Sequence, residues 1–586
     1  MSAAGRTARA LLLALALCCA APAAAQAHAQ LEGTAPQRGA ILRRAPAQVA
    51  FRFDEPVEGD FGAVRVYDRT GGRVDEGDAF HPAGAAKALG VHLKPGVPQG
   101  TYTATYRVVS QDGHIVSGGF AFSIGRATGS GLTVAQLTAA GGSGAVTDAA
   151  FGIARGVQYT AIAVALGALA FLLLVWRAVL RDAGGAPLAA TATPAFVRAL
   201  RRLVLAAALA GLASAAAAIV LEGAQAAGIS GFSALDAHVV RETLGTRFGT
   251  VWGVGALAWL ALGALASWAL RAPGGRDAAS PLPTPARLVV LAPPAVFLLL
   301  LPALGGHASS QSPSVLLVPA NVLHVAAVSV WAGGIAALLA AVPSATRTLE
   351  PPGRSRLLAA LLVRFSPLAL AAVATILATG LVQSYVYVRT PAHLLDTPFG
   401  RAVLIKFLLL LALIGLGAYQ RRTSLPRLRR LAAEGAPPGR TGVLLRRALR
   451  GEAALILVVL GVTGALTAYP PSTVQAGGPF NVTTTVGPAQ LQMTVDPAQT
   501  GANQIHVYLL NPRDGSQFRR AQQVTVSETE RDHAIGPLEQ DAQIAGPGHY
   551  VVPDALLAVK GTWTVLVKVR VSAFDEYVAH VQVPIR

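Results

Sequence analysis

The sequence predicts a membrane protein in which an all-α bundle of eight transmembrane helices is flanked by two extracytoplasmic all-β domains. Three observations lead to this fold class. The chain is 53% hydrophobic and only 13% charged, and its mean hydropathy is +0.50. Its apolar residues are concentrated in eight runs between 151 and 470, each near the roughly 20 residues that cross a bilayer as a helix. Regions with strand-like alternation precede and follow these runs.

The first element, residues 1–27, has the three parts of a secretory signal peptide. Arg6 and Arg9 provide a basic start, and a short apolar run follows them. Ala25-Gln26-Ala27 is a small-residue cleavage site. Cleavage at this site makes His28 the first residue of the mature chain.

The same cleavage restricts the metal ligands that the mature chain can offer. Cys18 and Cys19 are the only cysteines, and both lie in the segment that is removed. A metal site in the mature chain therefore uses nitrogen, oxygen or the thioether of Met493.

Residues 28–126 are predicted to form a small β-sandwich or barrel. The stretches "QVAFRFDEPV", "GAVRVYD" and "TYTATYRVV" place apolar residues at every second position, with Gly and Pro turns between them. Residues 127–150, rich in Gly, Ala, Ser and Thr, are predicted to be a linker. Residues 471–586 return to the strand pattern in "IHVYLL" and "GTWTVLVKVRV", which predicts a second β-sandwich.

The region 151–470 is predicted to hold the eight transmembrane helices. Three prolines in the fourth apolar run, Pro293, Pro294 and Pro302, predict a kinked or broken helix there. The runs lie at roughly 156–176, 203–221, 249–270, 288–306, 321–342, 365–386, 402–420 and 452–470.

Arginines are distributed unevenly between alternate loops. The loops after the first, third, fifth and seventh runs carry 21 arginines, whereas the other loops carry only Arg241, Arg247, Arg389 and Arg401. Because positively charged loops remain in the cytoplasm, this pattern places both ends of the mature chain outside the cell membrane. The net charge of +18 is therefore explained by the orientation of the chain in a lipid bilayer. The clustering of arginines in short loops excludes nucleic-acid binding.

An N-terminal histidine offers one metal two ligands, because its α-amine, with a pKa near 8, and its imidazole close a chelate ring. Nitrogen ligands in a planar arrangement favour Cu(II). Asp112 and His114 point to the same face if Gly113 is extended, and with His28 they make a nitrogen-rich set with one carboxylate oxygen. Glu55 is a candidate for an extra or axial ligand. Asp-Gly is also a common turn dipeptide, so the motif by itself equally fits a turn.

Residues 28–126 resemble the CopC family of periplasmic copper-binding proteins. The resemblance is carried by "HAQLEGTAPQRGA", "FRFDEPV" and "YRVVSQDGHIVSGGFAFSI". It implies a small β-barrel or sandwich whose Cu(II) ligands are His28, Asp112 and His114, with Glu55 as an occasional carboxylate. Some family members add a methionine-rich Cu(I) site, but this domain has no methionine after cleavage, so a Cu(II)-only site is expected.

Polar residues within membrane spans are candidates for function, because burying them in lipid is costly. His307 follows the fourth run in "LGGHASSQSPS", and His324 lies about one turn into the fifth in "NVLHVAAVSVWAGGI". Both are predicted near the outer surface, where they could converge on a metal that arrives from outside. Asn321, Gln383, Tyr385 and Lys406 are weaker candidates, and Lys406 also fits a side chain that snorkels to the interface.

Residues 151–470 resemble the CopD family of copper-resistance membrane proteins. The resemblance is carried by "GGHAS", "NVLHVAAVSVWAGGI", "VRFSPLALAAVATILATG" and "TPFGRAVLIKFLLLLAL". Members of the family often carry an acidic residue where this chain has Asn321. The tail resembles the β-domain that follows some CopD regions. Copper could bind there to Met493, His506, His533, His549 and His580. Because scattered histidines in strands and turns are more often structural, we interpret these four as structural.

Together these features predict a copper-handling membrane protein and not an enzyme. The outer domain would capture Cu(II), and copper would enter a path that begins near His307 and His324. The two resemblances imply import into the cytoplasm. One alternative is a copper monooxygenase that uses the N-terminal histidine. The other is a membrane electron carrier that holds haem between His307 and His324.

Overall fold

The structure is a computed structural model. It describes residues 29, 31–37, 40–59, 63–110, 113, 115–125, 134, 137, 142–181, 186–271, 282–388, 390–467, 480–496, 498–512 and 516–585.

The first β region folds as two sheets. One sheet has the strand order β1-β3-β5 and the other β2-β7-β6-β4. The strands are antiparallel except for the parallel pair β2 and β7. Their bounds are β1 (Leu31–Ala35), β2 (Ile41–Leu42), β3 (Gln48–Phe53), β4 (Val64–Tyr67), β5 (Ala88–His92), β6 (Gly100–Val109) and β7 (Ile115–Ile124).

A single hydrophobic core lies between these two sheets. Alternate residues of β3 point into it, so Phe51 and Phe53 are fully buried while Arg52 between them is exposed. Their rings pack against Tyr106 of β6 at 5.0 and 5.2 Å between centroids. The apolar and polar residues that alternate in the sequence therefore correspond to a sandwich in which each sheet buries one face.

Eight helices among the described residues are long and apolar enough to cross a membrane, which confirms the predicted fold class. They extend well beyond the apolar runs, because polar turns continue the helices at their ends. The first helix already begins within the segment predicted as linker. The bounds are α1 (Ala145–Arg181), α2 (Ala190–Ala227), α3 (Arg247–Ala269), α4 (Pro285–Leu304), α5 (Ser314–Thr346), α6 (Pro351–Val388), α7 (Pro398–Ala433) and α8 (Gly439–Leu466).

Helix α4 is interrupted, as its prolines predict. One helical segment ends at Val289, and the next begins at Ala292 with Pro293 in its first turn. Proline lacks the amide hydrogen that would continue the backbone hydrogen bonds of the helix, so a new helical segment begins there. Two further irregularities are π-helical segments, Leu172–Trp176 in α1 and Ser329–Gly333 in α5.

Glycines allow close helix crossings in the bundle. A Cβ atom on Gly333 of α5 would lie 2.5 Å from the Cα atom of Gly167 in α1. At a second crossing, a Cβ atom on Gly464 of α8 would lie 2.7 Å from the backbone nitrogen of Gly156 in α1. Only residues without a side chain permit these backbone contacts, which is the usual basis of tight packing in membranes.

The end of α2 belongs with the first β domain. Residues 220–246 group with residues 28–148 and 474–586 in one compact unit, whereas residues 149–219 and 247–473 form the other. The guanidinium of Arg107 donates to the carbonyl of Gln225 at 2.9 Å. This contact explains why a segment that the sequence assigns to the membrane region groups with the β domain.

The C-terminal region is also a two-sheet β structure. Its sheets have the orders β13-β14-β10-β9-β8 and β12-β11-β15-β16. Met493 lies in the core between them and is 1% exposed, so its thioether packs among hydrocarbon side chains. The strands are β8 (Phe480–Val486), β9 (Ala489–Asp496), β10 (Gly501–Leu510), β11 (Gln523–Glu530), β12 (Ile535–Asp541), β13 (Gln543–Gly546), β14 (His549–Leu557), β15 (Gly561–Arg570) and β16 (Glu576–Ile585).

Candidate copper sites

The predicted Cu(II) ligands of the first domain, His28, Asp112 and His114, lie outside the described residues. The structure describes the residue that follows the first of them. Ala29 is 1% exposed and belongs to the hydrophobic core of the domain. The backbone is therefore anchored in the core one residue after His28.

The turn that carries the Asp-Gly-His motif joins β6 to β7. Val109 pairs with Ile115 at the turn end of this long antiparallel hairpin. The expectation of an extended Gly113 is wrong, because its φ is +82° and its amide donates to the carbonyl of Ser110 at 2.9 Å. A left-handed residue in a turn does not place its two neighbours on one face by strand alternation.

Glu55 lies just after β3, in a segment that reaches the same end of the domain. Glu58, three residues further on, exchanges two backbone hydrogen bonds with Val109, at 2.9 and 2.8 Å. Val109 is the last residue of β6 before the Asp-Gly-His turn. The half-buried Glu55 is therefore held in a segment that runs beside this turn.

In the helical bundle, polar side chains form a row along one face of α6. Thr379, Gln383 and Tyr387 are spaced four residues apart and therefore lie on the same face. Along the row, Thr379 contacts His324 and Gln383 contacts Asn321. Tyr387 lies at the C-terminal end of the row. We call these residues, with His307, the polar row.

The hydroxyl of Thr379 orients His324. It lies 2.9 Å from Nδ1 of His324 and donates its own hydrogen to the carbonyl of Thr375 at 2.7 Å, the usual bond within a helix. It therefore accepts the hydrogen of Nδ1. This assigns the proton to Nδ1 and leaves the lone pair of Nε2 as the metal-binding group.

Asn321 is one turn before His324 on α5. Its amide nitrogen donates to the side-chain oxygen of Gln383 across 3.5 Å. Its own side-chain oxygen is buried and has no hydrogen-bond partner in the described part of the chain. A buried, unpaired oxygen of this kind is a candidate ligand for a passing cation.

His307 begins a short helix between α4 and α5. Its ring lies edge-on to Tyr387, with 6.1 Å between the ring centroids. His324 is ten residues into α5, because that helix begins at Ser314 and not near 321. Ten residues correspond to about 15 Å of helix, so His324 lies almost three turns from the start of α5 and not one.

Lys406 of α7 lies close enough to His324 for the two to interact electrostatically. Lys406 therefore contributes a positive charge that a cation in contact with His324 would also meet.

The sequence analysis missed a second polar pair in the bundle. Glu452 of α8 is 5% exposed and accepts a hydrogen bond from the side chain of Gln420 in α7. The pair lines a cavity of about 90 Å³ with Arg421, Ser366 and Trp331. The available signal was the acidic residue in "GEAALILVVLGV", where a carboxyl group precedes an uninterrupted apolar run.

A third cluster lies in the C-terminal domain. Nδ1 of His506 is 3.1 Å from Nε2 of His549, and Tyr508 stacks on His549 with 4.2 Å between the ring centroids. The sequence analysis treated these histidines as scattered. They meet because β10 and β14 are neighbours, a pairing that strand patterns alone do not reveal.

Three family models match the chain at separate regions. The CopC domain matches residues 31–125, the Copper resistance protein D-like N-terminal domain matches residues 146–313, and Copper resistance protein D matches residues 359–466. The protein is therefore a multi-pass membrane protein of the copper-resistance class. It is a CopC–CopD fusion, in which one chain carries both parts, as the resemblances predicted.

Relatives with known names agree with this class. Copper transport protein CutJ of Bacillus subtilis (strain 168) is 29% identical over 512 residues, which cover 86% of each chain. Protein YobA of Escherichia coli (strain K12) is 32% identical over 98 residues, or 17% of this chain and 79% of the relative.

Two solved structures are similar to the first domain. CopC from Methylosinus trichosporium OB3b is 31% identical with a TM-score of 0.16, and the match covers 17% of this chain and 93% of that one. PcoC, a methionine-rich copper resistance protein from Escherichia coli, is 24% identical with a TM-score of 0.15, and the match covers 17% of this chain and 99% of that one.

Proposed function

We propose that the protein binds Cu(II) at its mature N-terminus and carries copper through the helical bundle into the cytoplasm. His28, Asp112 and His114 hold Cu(II) in the first domain, with Glu55 as an additional carboxylate. His307, Asn321 and His324 then offer successive contacts to the ion along the polar row. Both β domains lie outside the cytoplasm in this arrangement.

The observation that carries the transport proposal is the polar row itself. Its contacts descend from Tyr387 to Thr379, eight residues or about 12 Å along α6. Imidazole and amide groups at this spacing can pass a cation stepwise, because no single site holds it with a complete ligand set. The same spacing favours successive contacts with a moving ion over the alternative in which His307 and His324 are the two axial ligands of one haem.

The anchoring of Ala29 supports the Cu(II) site. A chain end fixed in the core loses little freedom when its amine and imidazole close on a metal, so more of the binding energy is retained. The backbone hydrogen bonds of Glu58 to Val109, at the end of β6, support Glu55 as an additional ligand.

The transport proposal is tested by copper uptake into cells that contain the wild-type protein, the His324→Ala variant or no protein. We expect wild type to raise cellular copper and His324→Ala to reduce that gain at least tenfold. His238→Ala is the matched control, because His238 lies in an exposed helix between α2 and α3. Higher copper in cells without the protein would show export instead, and uptake equal to wild type in His324→Ala would refute the role of the polar row.

The Cu(II) site is tested on the secreted, purified chain. Mass spectrometry should show that it begins at His28, and competition titration should give tight Cu(II) binding that His114→Ala weakens strongly. His81→Ala serves as the control, since His81 is bonded through Nδ1 to the carbonyl of Ala88 and lies outside the proposed ligand set. A chain that begins at another residue, or an unchanged Cu(II) affinity in His114→Ala, would contradict the assignment. Oxygen- or peroxide-dependent turnover would favour the monooxygenase alternative.

A further inference from the structure

The outer face of the five-stranded C-terminal sheet carries an unusual histidine pair. His506 and Tyr508 alternate with Val507, which points into the core, so both lie on the opposite face of β10. His549 lies directly across from Tyr508 on β14 and shares that face. The three rings stack, with interplanar angles of 9° to 19°.

One nitrogen–nitrogen hydrogen bond links the two rings and leaves the other ring nitrogen of His549 without a partner among the described residues. His549 is 2% exposed, and its Nδ1 is buried with no hydrogen-bond partner in the described part of the chain. Burying a polar nitrogen without a partner costs on the order of 1–3 kcal/mol. Burial and the neighbouring His506 lower the pKa of His549 well below its ordinary value, so its imidazole is neutral and able to bind a metal.

We propose that His506 and His549 form a second copper site, in which Cu(I) binds between Nδ1 of His506 and Nε2 of His549. This site goes beyond the proposed transport function and does not depend on it. The two nitrogens are already 3.1 Å apart and face each other. A linear ion with nitrogen bonds of about 2 Å each needs them about 4 Å apart. Binding of the ion therefore requires the half-buried ring of His506 to shift by about 1 Å.

The number of ligands selects the ion. Within the described ranges of the chain, no group of three His, Cys, Asp or Glu side chains is arranged to hold a metal. Structural Zn²⁺ sites require four protein ligands, whereas Cu(I) is stable with two nitrogen ligands in a line. Imidazole suits copper, and the stacked Tyr508 covers the site from water.

The proposal is tested by anaerobic titration of the purified full chain with Cu(I), in competition with a chromophoric Cu(I) chelator. His506→Gln and His549→Phe should each bind one equivalent less of Cu(I) than wild type. X-ray absorption of the wild-type chain should show two nitrogen neighbours, and the variants should lose this component. His580→Phe is the control, because His580 is an exposed histidine on β16 of the same domain and should leave the stoichiometry unchanged.

Several outcomes would overturn the site. Equal Cu(I) stoichiometry in wild type, His506→Gln and His549→Phe would do so, as would binding of Cu(II) alone at this pair. If the buried His549→Phe substitution impairs folding, His506→Gln decides the question, because that ring is only half-buried. The transport variant His324→Ala should retain this Cu(I) equivalent, so failure of the transport proposal and failure of this site give different results.

Discussion

The hydroxyl of Thr379 determines which nitrogen of His324 faces a passing ion. It accepts from Nδ1 while its own hydrogen is used within α6. A partner that fixes the tautomer and ring orientation typically changes metal affinity tenfold or more when it is removed. Thr379 is therefore a positioning residue for the transport proposed above.

Thr379→Val keeps the shape of the side chain and removes the acceptor for Nδ1 of His324. We expect a five- to tenfold loss of copper uptake, since a hydrogen bond of this kind contributes about 1 kcal/mol. Thr375→Val is the matched control on the same helix, because the Thr375 hydroxyl bonds to the carbonyl of Ala371. Equal uptake by the two variants, measured at equal protein levels, would show that Thr379 does not position His324.

A second residue-scale consequence concerns Glu528, which lies on the core face of β11 beside Val526. Its side chain is 1% exposed, and both carboxyl oxygens are buried without a hydrogen-bond partner among the described residues. Burial raises the pKa of Glu528 to about 7, only partly offset by its own backbone amide.

The stability of the C-terminal domain is therefore expected to fall as the pH rises from about 4.5 to about 7. In this range the unfolded chain releases the Glu528 proton before the folded chain does, so the folded state binds more protons and weakens with rising pH. The free energy of unfolding should fall by about 3 kcal/mol in total, since each unit of pKa difference between folded and unfolded states corresponds to about 1.36 kcal/mol. Hydrogen exchange in residues 523–530 of the whole protein should speed up in step, and Glu528→Gln should remove this dependence. A profile unchanged by Glu528→Gln, or matched by the exposed control Glu576→Gln, would contradict it.

At the scale of helices, close crossings set how the bundle packs. The π-helical segment of α5 ends at Gly333, where the backbones of α1 and α5 approach each other at Gly167. His324 lies on the same helix, nine residues before Gly333. A shift of α5 relative to its neighbours would therefore move His324 away from Thr379.

Gly333→Val should destabilise the bundle, because a side chain at this position has no space against Gly167 and the backbone of Ala163. Overpacking of this kind typically costs roughly 1–3 kcal/mol, which we expect to appear as a lower melting temperature in detergent and reduced uptake. Gly415→Val is the control, since nothing lies within 4 Å of a Cβ atom built on Gly415 of α7. Equal melting temperatures for the two variants would show that the crossing is not tight.

The elements themselves were largely predictable, and their contacts were not. Hydropathy identifies eight spans because each must be apolar over its own length, and alternation identifies β3 because one face is buried. The polar row depends on the rotation of α5 and α6 about their axes, which no local pattern contains. The contact between His506 and His549 depends on the register of β10 with β14, and Gly113 adopts a turn because the hairpin requires a positive φ.

At the scale of the whole molecule, the proposed copper sites are distributed over separate regions of one chain. The first β domain carries the Cu(II) ligands predicted from the sequence, the bundle carries the polar row, and the C-terminal domain carries the histidine pair. These regions can act in sequence only if both β domains are on the side from which copper arrives. The distribution of arginines among the loops makes that arrangement a definite expectation.

The topology can be tested directly because the chain after residue 27 contains no cysteine. We expect a single cysteine at Lys560→Cys, in the C-terminal domain, to react with a membrane-impermeant maleimide in intact cells. Glu434→Cys, in the arginine-rich loop between α7 and α8, should react only after the membrane is opened, because the positive-inside rule places that loop in the cytoplasm. Both positions are exposed, so differences in labelling report sidedness and not burial. Labelling of Glu434→Cys but not Lys560→Cys in intact cells would invert the topology, and the Cu(II) site and the histidine pair would then face the cytoplasm.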